Sequence, residues 1–249
     1  VQARTQAWHA IASDASLRTD DQGRAMLVLR SLNRSEHTVL RARDASGGFD
    51  AESLDQAAHV LRDASGNEHP IEPRLIDVVY RIQTHFGAPE IRVLSGYRSA
   101  RGASSSNHGK GRAIDFIVPG VRDDEVAKVA REQGFTGVGI YPVSGFVHVD
   151  VRDKSYFWVD SSGPGKRGRI RPIFAALAAH SDARAAARGE PRVLPFGVDL
   201  GSSPPAFDAT DAFPDASDTR DGNDDINDDH THELDNDSDD SIDRDASKP

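Results

Sequence analysis

The chain has 249 residues, 40 acidic and 30 basic side chains, a formal net charge of −10 and no cysteine. The absence of cysteine excludes a disulfide framework, cysteine-based zinc sites, iron–sulfur clusters and thiol nucleophiles, and no run approaches the ~18 uninterrupted apolar residues of a membrane helix. The charge is uneven: residues 208–249 hold fifteen Asp and one Glu against Arg220, Arg244 and Lys248, so the remaining body is slightly basic.

Residues 1–24 are polar and read as a lead-in helix or linker, and Val1 in the first position reads as a processed or trimmed chain. Two β-rich runs, 25–32 and 37–42, flank a short polar connection and predict a hairpin. Leu54, Ala57, Ala58 and Leu61 fall on one face of a helix over 51–63. Leu75, Val78, Val79 and Ile82 do the same over 73–86, with Pro73 in the first turn and Gly87-Ala-Pro89 as the stop. A strand at 91–94, a long polar loop at 95–111 and a strand at 113–118 follow. Asp123, Asp124 and Glu125 suit the positive end of a helix over 122–133. Two short strands, 137–141 and 146–151, join through Pro142 and Gly145, and the Ala-rich stretch 167–189 reads as a helix on the outside of the body. Beyond the Gly-Ser-Pro linker at 201–205, the Asp-rich composition has too little apolar area to fold. The order of elements predicts an α+β domain over 25–160, a basic, Ala-rich helical extension over 161–200 and a disordered acidic tail over 201–249.

The chemistry concentrates between Ser95 and Asp150. His108, Asp115 and His148 are two imidazoles and a carboxylate, a set that suits a divalent transition metal with a fourth position left for water. Gly109 and Gly111 allow a tight turn between a loop histidine and a following strand, and strand alternation puts Phe146, His148 and Asp150 on one face. Taken alone, such residues more often fill packed or exposed structural roles than bind a metal.

The pattern Ser106-x-His108-x-x-Gly111-x-Ala113-x-Asp115, followed by His148, resembles the signature of the M15 zinc peptidases. The wider stretch 25–158 resembles the DUF882/YcbK-like murein endopeptidase branch. That likeness rests on the opening hairpin, His69-Pro-Ile-Glu-Pro73, Ser95-Gly-Tyr-Arg-Ser99, Gly137-Val-Gly-Ile-Tyr-Pro142 and Phe146-Val-His-Val-Asp150. The resemblance implies a Hedgehog/D,D-peptidase-like fold with a small mixed sheet and helices. It implies Zn2+ bound by His108, Asp115 and His148, and Arg98 facing the substrate carbonyl or carboxylate. The implied substrate is a peptidoglycan stem peptide containing D-amino acids, cut by endopeptidase or carboxypeptidase action at a D,D or L,D bond, in the periplasm or outside the cell.

Two departures affect the general base. Dipeptidase-like members carry Glu three residues before the final histidine, where this chain has Gly145, and others carry His two residues before it, where this chain has Phe146. Asp150 is a catalytic candidate and equally a group supporting the ligands from behind; His69 is a candidate by resemblance. The missing Glu motivates an alternative, a non-catalytic zinc-containing peptidoglycan-binding module. A third reading makes the acidic tail the functional part of a calcium-responsive surface protein, although Arg220 breaks the Asp-x-Asp-x-Asp-Gly pattern before Asp221 and Gly222. His230-Thr-His232 could hold a metal loosely, Ser104-Ser-Ser106 reads as a flexible loop, and the basic run at 166–171 reads as a solvated face with no nucleic-acid partner.

Overall fold

The computed structural model describes residues 2–99, 106–164, 166 and 168–194. All lie in the first of two units, Val1–Val198 and Asp199–Pro249, into which the chain divides. The expectations for the acidic tail, His230 and His232 fall outside the described residues.

A lead-in helix, α1 (Gln2–His9), precedes the predicted hairpin β1 (Met26–Ser31) and β2 (His37–Arg41). Helices α2 (Ala51–Val60) and α3 (Pro73–Phe86) follow, then β3 (Ile91–Ser95), a single 3-10 turn at His108–Lys110 and β4 (Ala113–Ile117). Helix α4 (Asp123–Glu132) leads into β5 (Thr136–Tyr141), β6 (Phe146–Val151), β7 (Tyr156–Asp160), β8 (Ile170–Ile173) and α5 (Ala175–Ala187). The eight strands form one mixed sheet in the order β2-β1-β3-β4-β6-β5-β7-β8, so the architecture is α+β. No described helix is long and apolar enough to cross a membrane.

The helix boundaries follow local chemistry. Asp50 caps α2 by accepting from the Ser53 N–H at 2.8 Å. The helix stops at Val60, short of the predicted residue 63. Asp63 accepts from the backbone N–H of Ser65 (2.9 Å) and Asn67 (2.8 Å), a turn that draws the chain out of the helical path. Helix α3 runs over its predicted span, with Pro73 at its start and Gly87 in the left-handed conformation at its end.

The C-terminal part departs from expectation. The reading of 167–189 as continuous helix is corrected: Ile170–Ile173 is strand β8, paired antiparallel with β7, and α5 begins at Ala175. Two β-branched isoleucines, Ile170 and Ile173, flank Arg171 and Pro172, and β8 is the last strand of the sheet, where a proline costs no ladder hydrogen bond. The unpredicted β7 pairs parallel with β5.

Strand alternation separates the core from the site. Ile114, Phe116, Val138, Val147, Val149, Val151 and Phe157 pack with Leu75, Val79, Ile82, Val126 and Ala130 of the helices into one buried cluster. Residues between them in sequence, including Asp115, His148, Asp150 and Trp158, therefore emerge on the other face.

One polar side chain ties α3 to the sheet. The parallel pairing of β1 with β3 begins only at Leu29, opposite Ile91. Below that point Gln83, fully buried, stands in for a strand: its Oε1 accepts from the Val28 N–H at 2.9 Å and its Nε2 donates to the Met26 carbonyl at 2.9 Å. Gln83→Leu keeps the volume but leaves both backbone groups unpaired. It is expected to lower stability by about 2–4 kcal/mol, read from urea unfolding.

Candidate metal centre

The site is assembled by strand register. Asp115 on β4 lies directly opposite His148 on β6, and Ala113 lies opposite Asp150. His148 is in turn opposite Gly139 of β5, which is opposite Trp158 of β7. Asp115, His148, Gly139 and Trp158 thus form one transverse row on the sheet face away from the helical core. His108 comes from the 3-10 turn that precedes β4, with its backbone N–H bonded to Ser106 Oγ at 3.2 Å.

Gly137 and Gly139 make this row sterically feasible. A Cβ on Gly139 would sit 2.4 Å from the Trp158 ring, and one on Gly137 would sit 2.2 Å from Asp150 Oδ2. Without them the indole crosses β5 and packs on His148, with ring centroids 5.1 Å apart.

Three ligand atoms converge. His148 Nδ1 lies 2.8 Å from Asp115 Oδ1 and 3.2 Å from His108 Nε2, and His108 Nε2 lies 3.4 Å from the same carboxylate oxygen. All three residues are buried, and their ligand atoms lie within 4.8 Å of one another. Each imidazole is oriented from behind. His108 Nδ1 donates to the Gly96 carbonyl at 2.6 Å, and His148 Nε2 donates to Asp150 Oδ2 at 3.0 Å. Those bonds leave Nε2 of His108 and Nδ1 of His148 directed at the carboxylate, the arrangement of metal-binding histidines. The donor set fits a divalent metal ion with nitrogen and oxygen ligands.

The remaining expected residues fall around this cluster. Arg98 donates from Nη2 to Asp115 Oδ2 and from Nε to Ser95 Oγ at 2.8 Å, and its side chain is 48% exposed. It stands at the solvent edge of the cluster. Asp150 lies behind His148 and is 1% exposed. Its carboxylate accepts from His148, from Arg152 Nε at 2.7 Å and Nη2 at 2.5 Å, and from Asn107 Nδ2 at 2.9 Å. So enclosed, the carboxylate holds the imidazole from behind. His69 stacks on Tyr97 with centroids 4.7 Å apart and donates through Nδ1 to the Pro70 carbonyl at 2.7 Å. Ser106 Oγ accepts from the His108 N–H, while Ser104 and Ser105 lie outside the described residues.

Sequence reasoning passed over Arg152, Tyr141 and Trp158. Arg152 continues the every-second-residue series 146, 148, 150 and was legible in that way. Tyr141 stacks on Phe146 at 4.4 Å, and its phenol oxygen accepts from the Trp158 indole N–H at 3.4 Å. Burial raises the Tyr141 pKa, and the Asp115 charge adds to that, so the phenol keeps its proton.

The ionisable groups are strongly shifted. Burial alone would lower the His148 pKa, but hydrogen bonds to Asp115 and Asp150 push it up to about 9. Burial works the other way on Asp115 and Asp150. For Asp115 the neighbouring His108 and His148, and for Asp150 the Arg152 guanidinium and His148, hold the carboxyls well below the ordinary range.

Comparison with known proteins adds an independent observation. The family model described as peptidoglycan L,D-endopeptidase MepK matches residues 21–155. The probable peptidoglycan L,D-endopeptidase MepK of Haemophilus influenzae is 37% identical over 139 residues, spanning 50% of this chain and 74% of the relative. The peptidoglycan L,D-endopeptidase MepK of Escherichia coli K12 is 35% identical over 138 residues, spanning 50% and 75%. No solved structure matches significantly.

Two expectations follow. A His148 with a pKa of about 9 is protonated at neutral pH in chelator-treated protein and must lose that proton to bind metal. Divalent metal affinity is therefore expected to rise with pH up to about 9 and level off above it. Calorimetric titration in buffers of different ionisation enthalpy should show proton release at pH 7; a heat independent of buffer would contradict this. Asp150→Asn is expected to weaken metal affinity about tenfold or more through misorientation of His148, measured by competition with a chromophoric chelator.

Proposed function

The chain belongs to the peptidoglycan L,D-endopeptidase MepK family of M15 peptidases, and from that premise we propose that it is a zinc-dependent hydrolase of D-amino-acid-containing peptide crosslinks in bacterial peptidoglycan. The observation that carries the reading is the buried convergence of His108, Asp115 and His148, each imidazole fixed from behind by its own acceptor. The L,D-endopeptidase activity named for the Haemophilus influenzae and Escherichia coli relatives favours an endopeptidase acting at L,D bonds over a carboxypeptidase. Such a substrate places the protein in the periplasm or outside the cell.

His108, Asp115 and His148 would hold the zinc ion, which when bound would supply Lewis acidity and lower the pKa of water toward neutral. The chain's own residues do the rest. Asp150, itself clamped by Arg152 and Asn107, holds His148 with Nδ1 toward the cluster. Arg98 keeps hold of the outer oxygen of Asp115, and its half-exposed guanidinium retains N–H groups for the oxygen that gains charge during hydrolysis. Trp158 covers one flank of His148. Beside it, Tyr141 has its oxygen engaged by the indole N–H, which leaves its O–H able to donate toward the peptide.

Gly145 and Phe146 leave β6 without the carboxylate or imidazole that other members place there. That difference sustains the alternative of a zinc-containing peptidoglycan-binding module without turnover, and one experiment separates the two. Crosslinked peptidoglycan is incubated with wild-type protein, with His108→Ala and with chelator-treated protein, and the muropeptides are resolved by liquid chromatography and mass spectrometry. Crosslinked dimers are expected to fall and monomers to rise only with the zinc-loaded wild type, with product masses identifying the bond. An unchanged profile from a protein that binds zinc stoichiometrically and pellets with sacculi would establish the binding module instead.

A further inference from the structure

A cavity of about 590 Å³ opens next to the metal cluster. Its wall includes Gly96 and Arg98, both in direct contact with the cluster: the Gly96 carbonyl receives the His108 Nδ1 proton, and Arg98 bonds Asp115. The same wall continues to the place where the β1–β2 turn meets the end of α2, and there it contains two more arginines, Arg34 and Arg62.

The two differ in how their charge is met. Arg62 donates to both oxygens of Glu36, at 2.8 and 2.7 Å, and is neutralised by that pair. Arg34 donates only to backbone carbonyls, that of Arg62 at 3.3 Å through Nη1 and that of Asp63 through Nη2. Among the described residues no carboxylate lies within ion-pairing distance of it. Asp63 is the one carboxylate among the described residues of this wall, and it is already bonded by Asn67, Ser65 and Ser99.

Arg34 is also held in place. Ser31 Oγ accepts from the backbone N–H of Asn33 at 3.3 Å and of Arg34 at 3.2 Å, and Asn33 Nδ2 reaches across to the Leu94 carbonyl at 2.6 Å. The turn is thereby fixed, and two carbonyls set the guanidinium plane. Two of its five N–H groups are used, so Nε and one hydrogen on each terminal nitrogen remain for a planar acceptor. A cavity of this volume holds a few residues of an extended peptide. With Arg98 at the scissile end and Arg34 further along, in no ion pair and met only at longer range by a Glu36 that Arg62 already binds, the wall is complementary to a peptide bearing a carboxylate away from the bond that is cut.

We propose that this cleft is the subsite for an acidic portion of the peptide substrate, and that Arg34 is the specificity residue that receives its carboxylate. The proposal rests on the hydrolase reading above and assigns a substrate class within it.

The test uses two soluble peptides sharing one scissile bond, one with free carboxylates flanking it and one with those groups amidated. Wild type, Arg34→Ala and Arg34→Lys are compared by steady-state cleavage. Wild type is expected to favour the acidic peptide about tenfold or more in kcat/KM, as a charge-assisted hydrogen bond would give. Arg34→Ala should raise KM for the acidic peptide about tenfold more than for the amidated one, and Arg34→Lys should recover part of the preference. Equal use of both peptides by wild type, or an equal loss on both in Arg34→Ala, overturns the proposal. Because Arg34 also ties the turn to the end of α2, urea unfolding establishes that each variant is folded. Binding of the two peptides to His108→Ala protein, with and without Arg34→Ala, gives the same comparison without turnover. If wild type cleaves neither peptide, the hydrolase reading fails, and the binding comparison alone decides whether Arg34 selects the carboxylate.

Discussion

The antiparallel register of β4 against β6 is the constraint on which the site depends. It sets Asp115 opposite His148 and Ala113 opposite Asp150, so a carboxylate and an imidazole of the candidate metal site face each other while a second carboxylate stands behind the imidazole. A slip of one residue would turn Asp115 and His148 into the helical core and bring Ile114 and Val149 to the site face. The hydrophobic cluster that includes Ile114, Phe116, Val147 and Val149 fixes the register, because those side chains can be buried only on the helical side. The energy that folds the protein and the geometry that builds the candidate metal centre are thus the two faces of the same strands.

Burying ionised groups is costly unless each is paired and hydrogen-bonded. Here the charges form a chain: Arg98 to Asp115, Asp115 to His148, His148 to Asp150, and Asp150 to Arg152. Positive and negative groups alternate along it, which is why the buried carboxyls stay ionised and the imidazole between them is raised. The arrangement suits a metal that substitutes for the proton on His148. The glycines of β5 complete it by making room, since any side chain at 137 or 139 would occupy the space of Asp150 or Trp158.

The same logic extends outward. The turn held by Ser31 and the end of α2 held by Asp63 both depend on short side chains bonding nearby backbone groups, and together they form one wall of the cleft next to Arg98. Turns carry this wall and His108, while the sheet carries Asp115 and His148, a division that sets two of the three candidate ligands on rigid strands.

Much of this was legible in the chain. Helical periodicity located α2 and α3, strand alternation placed His148 and Asp150 on one face, and the resemblance of the motif around His108 and Asp115 pointed to a candidate metal set. Sequence alone could do this because each signal is local: a period, a cap, a turn residue, a ligand type. It did not find β7 and β8, whose existence depends on pairing with β5 and then with β7, nor Trp158 and Tyr141 as walls of the site. It also left Asp150 open between base and support. The tertiary structure surrounds that carboxylate with His148, Arg152 and Asn107, partners whose convergence depends on packing across strands rather than on proximity along the chain.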